Sequence, residues 1–227
     1  DTDGFIDSGH LRRFISDNKL TPFPQEIITE RPDRCVNHLL EGRVVVMIDG
    51  SPFALIYPSV FIDLIKSADE AYMSYYMAMF LLSLRFVAFL ISTFGAALYI
   101  AMTVFNPGMI PTQLLITIAS SRAGVPFPAF LEAFIMEFTF EILREANIRI
   151  PKPIGPSISI VGGLVIGQSV VQAGIVSQAM IIVVALTAIS SFAVPGYTTN
   201  PALRLIRFPF MIAASFLGMY GIISLLV

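Results

Sequence analysis

Charge is what this sequence has least of. Of its 227 residues 13% are charged and 56% hydrophobic, whereas a water-soluble domain carries about 25% charged residues. A chain solvated over most of its surface is therefore excluded. No basic stripe is present, which excludes a nucleic-acid binder, and the high apolar content excludes disorder. A single cysteine, Cys35, rules out a disulfide framework within the chain and offers no metal-ligand pair. Two histidines, His10 and His38, stand without an adjacent Asp, Glu or Cys at ligand spacing. They are read as ordinary surface or capping residues, and Cys35 as packed rather than reactive. The opening Asp1-Thr-Asp-Gly4 has neither a basic n-region nor an apolar h-region, so no signal peptide is expected. A start without Met leads us to expect further sequence upstream. Enzyme signatures are missing too. There is no HExxH helix and no Gly-x-Ser-x-Gly elbow, and Gly162, Gly163 and Gly167 do not follow a strand in a βαβ setting. No enzyme, cofactor or metal is expected.

What is present is unevenly spread. Residues 1–76 hold twelve acids and seven bases, and residues 77–227 hold four acids and seven bases, with no acid after Glu145. The chain reads as two parts: a polar segment over 1–76, the end of a cytoplasmic domain, and a transmembrane domain over 77–227. In the polar segment, short helices are expected over Asp7–Asn18 and from Pro32 to Gly42. Asp49-Gly50-Ser51-Pro52 between two β-rich runs predicts a hairpin over 43–57. Such a small α/β segment cannot bury a core alone, so it should pack on upstream sequence or on partner subunits. Residues 58–70 read as an amphipathic helix at the membrane surface. Tyr72, Tyr75 and Tyr76 suit an interfacial aromatic belt.

Four stretches after residue 76 have the length of a span, about 20 residues: Met77–Phe105, Ile154–Ala173, Ile175–Val194 and Phe208–Val227. Lys66, the Arg144–Lys152 group and Arg204 with Arg207 lie on one side only if a helix from Ala129 to Asn147 also crosses. The expectation is a polytopic α-helical membrane protein with about five crossings, residues 111–121 being re-entrant or interfacial. On the 129–147 helix, Glu137, Glu141, Arg144 and Glu145 share one 100° sector, while Glu132 points away, in a first turn where the helix dipole favours an acid. Like charges at i,i+4 repel mildly, and ionisable groups at membrane depth face a bundle interior or water. Two readings stay open for Glu137, Glu141, Glu145, Arg144 and Arg85: an acidic stripe lining a cation pore, or an interhelical salt-bridge cluster. Gly155, Ser159, Gly163 and Gly167, with Gln168 and Gln172 beside them, form a small-residue seam for close helix packing, either between subunits or within one chain.

Several motifs then converge. They are Thr21-Pro-Phe-Pro24, Thr29-Glu-Arg-Pro-Asp-Arg34, and Leu40-Glu-Gly-Arg-Val44 leading to Asp49-Gly-Ser-Pro52. Downstream stand Ile110-Pro-Thr112, Arg122 with Val125-Pro-Phe-Pro128, Met136-Glu137 and Glu141-Ile-Leu-Arg-Glu-Ala146. Ile154-Gly155, Ile160-Val-Gly-Gly-Leu-Val-Ile-Gly167 and Val183-Val-Ala-Leu-Thr-Ala-Ile-Ser190 complete the set. In this order, over almost the whole chain, they resemble the A subunits of bacterial spore germinant receptors, the GerA family. The resemblance implies a multi-pass protein of the endospore inner membrane that forms a homo-oligomer, a pentamer. It would act as a nutrient-gated ion channel with a transporter-like B subunit and a lipoprotein C subunit. A paralogous group associated with the dipicolinate channel shares these motifs. A non-conducting scaffold that couples a germinant-binding partner to another channel is the rival reading, and a secondary transporter a third. The third lacks the internal repeat such folds carry.

Overall fold

A computed structural model describes residues 8–16, 21–149, 163, 165, 167–196 and 199–226. Their contacts divide the chain into two compact units, Asp1–Phe89 with Ser191–Leu205, and Leu90–Ser190 with Ile206–Val227.

The first unit begins with α1 (Ser8–Ile15), β1 (Ile27–Thr29), α2 (Pro32–Leu40), β2 (Val44–Met47) and β3 (Ala54–Tyr57). Pro32 opens α2 because a missing N–H costs nothing in a helix's first turn. Strands β2 and β3 pair antiparallel, Val44 opposite Tyr57 and Val46 opposite Leu55, so the Asp49-Gly50 signal does mark a hairpin. The sequence had not shown β1, which pairs with the other edge of β3 (Ile28 opposite Leu55). The central strand is therefore buried, with Leu55 and Ile56 wholly inaccessible. Burial of such side chains is worth about 1.5–3 kcal/mol each. Cys35 packs with Ile27, Ala54 and Ile56, and burial raises its thiol pKa.

Residues 58–70 do not form the single amphipathic helix expected of them. They make two 3₁₀ turns, Phe61–Leu64 and Ala68–Tyr72. Side chains hold each turn open at its start: Asp63 accepts the Val60 N–H at 2.9 Å, and Glu70 accepts the Ser67 N–H at 3.3 Å. Arg43 clamps this segment to β2 by pairing with Asp63 and donating to the Pro58 carbonyl at 3.2 Å.

Helix α3 (Tyr75–Ile100) continues through a π-helical turn, Ala101–Phe105. Beyond it lie α4 (Thr112–Arg122), α5 (Ala129–Arg149), α6 (Gln178–Ala193) and α7 (Thr199–Leu226). The core of the second unit is built largely of small residues and Met: Ala96, Ala97, Ala133, Met136, Met180 and Met211 are almost wholly buried.

The expectation of about five crossings and a re-entrant or interfacial helix is corrected by these helices. Among the described residues two are long and apolar enough to cross a membrane, Tyr75–Phe105 and Thr199–Leu226. Helix α5 has the length, but five charges stand between Glu132 and Glu145. Helix α6 has 16 residues, about 24 Å of helix against a hydrocarbon core of about 30 Å. Helix α4 has only 11. Residues 154–162, 164 and 166 of the expected Ile154–Ala173 span lie outside the described residues. Even α7 is not a straight rod, since Gly218 breaks it at φ 60°, ψ −137°.

Candidate functional site

Helix α5 starts after Val125-Pro-Phe-Pro128 and carries two acids inward. Glu132 is wholly buried. It accepts Arg122 Nε at 3.1 Å from the end of α4 and the Ser177 N–H at 2.9 Å. Ser177 stands just ahead of α6 and receives the Met180 N–H on its Oγ at 3.4 Å. The carboxylate therefore meets a cation and the positive end of a second helix. The dipole of its own first turn is only part of the account.

Glu137 is 5% exposed and pairs with Arg207 of α7, itself 3% exposed. Thr187 of α6 lies 2.9 Å from the same carboxylate and 2.8 Å from the Val184 carbonyl. One hydroxyl proton cannot serve both acceptors at once. Arg207 Nε donates to the Ser92 carbonyl of α3 at 2.7 Å. Four helices thus converge on one buried ion pair. The close approach depends on Gly95, where a Cβ would stand 2.7 Å from Thr187 Cγ2. Isolated charges cannot be held in such an interior. A hydrogen-bonded pair can, and removal of one partner strands the other.

The remaining residues of the stripe are placed differently. Glu145 bonds Arg149 at 2.7 Å on an exposed surface, and Glu141 and Arg144 are half-buried between the two ends. Arg85 is paired with Glu70, ahead of α3. In sequence Arg207 stands among the basic residues that flank a span, and nothing local marks it as the partner of Glu137. Its one telling signal is a position inside the apolar run from Ala202 to Leu226. Of the small-residue seam, Gly155 and Ser159 lie outside the described residues. Gly163 and Gly167 have open space where a Cβ would project. They border a cavity of about 720 Å³ that Gln168, Gln172 and Gln178 also line. Of the histidines, His38 Nδ1 lies 3.0 Å from Glu41 and His10 packs edge-on against Phe14. Among the described residues no cluster of metal-ligating side chains occurs.

Comparison with known proteins places this arrangement. Residues 1–227 match the family described as GerA: Bacillus/Clostridium GerA spore germination protein. The chain is 49% identical to spore germination protein KA of Bacillus subtilis, over 98% of this chain and 41% of that protein. It is 50% identical to spore germination protein B1 of the same organism, over 97% of this chain and 46% of that protein. The relative named uncharacterized membrane protein YfkQ is 42% identical over 97% of this chain and 43% of its own length. The chain thus spans less than half the length of these relatives, and no solved structure matches it. A family match along all 227 residues, with relatives near half identity, leaves one conclusion: the chain belongs to the GerA family of spore germination proteins.

Proposed function

We propose that the chain is part of a membrane subunit of a spore germinant receptor, which oligomerises to form a nutrient-gated cation channel that triggers germination. Residues 1–76 are its polar cytoplasmic part and residues 77–227 its membrane part, in the endospore inner membrane. The transporter-like and lipoprotein subunits are its partners, and the oligomer is a pentamer. The observation that carries this reading is the family match along the whole chain, with relatives near half identity named as spore germination proteins. In this reading α5 borders the conduction path, Glu141 and Glu145 face permeating cations, and Glu137 held by Arg207 fixes the helix's angle. The glycine seam is the contact between subunits.

One observation favours the scaffold alternative. The Glu137 carboxylate is answered by Arg207 and Thr187 of its own chain, as a purely structural lock would be. Planar-bilayer recording of the full-length purified subunit separates the two, with and without partners and nutrient. Cation current whose selectivity falls in Glu141→Gln and Glu145→Gln supports the channel. Silence from intact oligomers under every condition overturns it in favour of the scaffold.

A further inference from the structure

The first unit contains a cleft of about 370 Å³ between α2 and the two 3₁₀ turns. Its wall on α2 includes Arg34 and His38, which share one helix face at i and i+4, with Glu41 capping the helix's C-terminus. Asp63, Lys66 and Glu70 stand on the other wall, and Arg43 also borders it. The acids are already answered. Asp63 is held by Arg43, Glu41 by His38 and by Arg43 at 3.1 Å, and Glu70 by Arg85. Two cations are left over. Among the described residues the side chains of Arg34 and Lys66 have no ion-pair or hydrogen-bond partner. Burial lowers the Arg34 pKa in spite of Asp63 nearby.

The cleft is joined to α3 ahead of an uncharged run. Glu70 on its wall is tied to Arg85 of α3, and the 20 residues after Arg85, 86–105, carry no charge. They make about 30 Å of helix, the thickness of the bilayer's hydrocarbon. Tyr72, Tyr75 and Tyr76 are 70%, 72% and 86% exposed, ten to fourteen residues ahead of that run. We propose that this cleft binds the phosphate of an anionic lipid headgroup through Arg34 and Lys66. The site goes beyond the receptor reading. Channel and scaffold would carry it alike, and it requires only that α3 enters a bilayer.

The test is native mass spectrometry of the full-length subunit in detergent, titrated with short-chain phosphatidylglycerol or phosphatidylcholine. Two basic contacts predict roughly thirtyfold tighter binding of phosphatidylglycerol. That preference should vanish in R34Q/K66Q, persist in R34K/K66R, and leave phosphatidylcholine binding unchanged throughout. A measurement needing no variant is a phosphate-methylated, uncharged phosphatidylglycerol, which should bind no better than phosphatidylcholine. Equal binding of the two lipids by the unaltered protein overturns the proposal, as does a preference that survives R34Q/K66Q. Displacement of the lipid by equimolar inorganic phosphate overturns the lipid assignment in favour of a soluble phosphate.

Discussion

Glu137 and Arg207 are separated by 70 residues and joined by one ion pair. Taking away either member leaves a charge without its partner, at a cost of about 3–5 kcal/mol. Glu137→Gln and Arg207→Met should each lower stability by that amount in denaturant unfolding of the detergent-solubilised protein. The double variant should lose clearly less than the sum, and strict additivity would mean that the pair is not coupled. Asp63 gives a second prediction. Burial alone would raise its carboxyl pKa, but hydrogen bonds from Arg43 and the Val60 N–H outweigh it and the pKa is lowered. A carboxyl with a depressed folded pKa contributes stability above its unfolded value, about 3.9, and that contribution is lost as pH falls through the folded value. Asp63→Asn should therefore be less stable at neutral pH and lose less on acidification below about pH 4. Buried Glu26 works in the opposite sense, since burial raises its carboxyl pKa against the pull of Arg12, so the comparison must be made between variants at each pH. Glu137 was legible in the sequence because an acid inside an apolar run is conspicuous. Arg207 was not, because a basic residue near a span end is ordinary and only folding brings the two together.

At the scale of elements, local chemistry was readable and membrane crossings were not. The hairpin follows from two dihedral-permissive turn residues between β-branched runs, and α2 from a proline in its first turn. The third strand, Ile27–Thr29, is too short for any period to mark it. Length and apolarity overstated the spans, because α5 carries five charges from Glu132 to Glu145 and α6 stops at 16 residues. The kink in α7 has a checkable consequence. Gly218 sits at φ 60°, and a Cβ there would meet the ring base of Phe105 at 2.8 Å. An L-residue held in such a region costs about 1–3 kcal/mol. Gly218→Ala should destabilise the protein by at least that much or straighten the helix. Spin labels at Ser215 and Ser224 would report straightening as a longer distance, and an unchanged distance with unchanged stability would show that the kink is not required.

For the whole molecule, two units with separate small cores are drawn from less than half the length of the curated relatives. If α3 and α7 both enter the bilayer, the full-length protein should stay with spore membranes through an alkaline carbonate wash. Release into the wash would mean that these helices are buried against protein instead. The Glu137–Arg207 pair carries a last consequence, electrical rather than structural. A closed pair has no net charge, so if it lies within a membrane, a movement that carries both side chains together moves no net charge of the pair across the field. A movement that parts them drags one elementary charge each way, with about 2.3 kcal/mol at stake per charge for every 100 mV traversed. A voltage dependence that Glu137→Gln/Arg207→Met abolishes would report the parting of that pair.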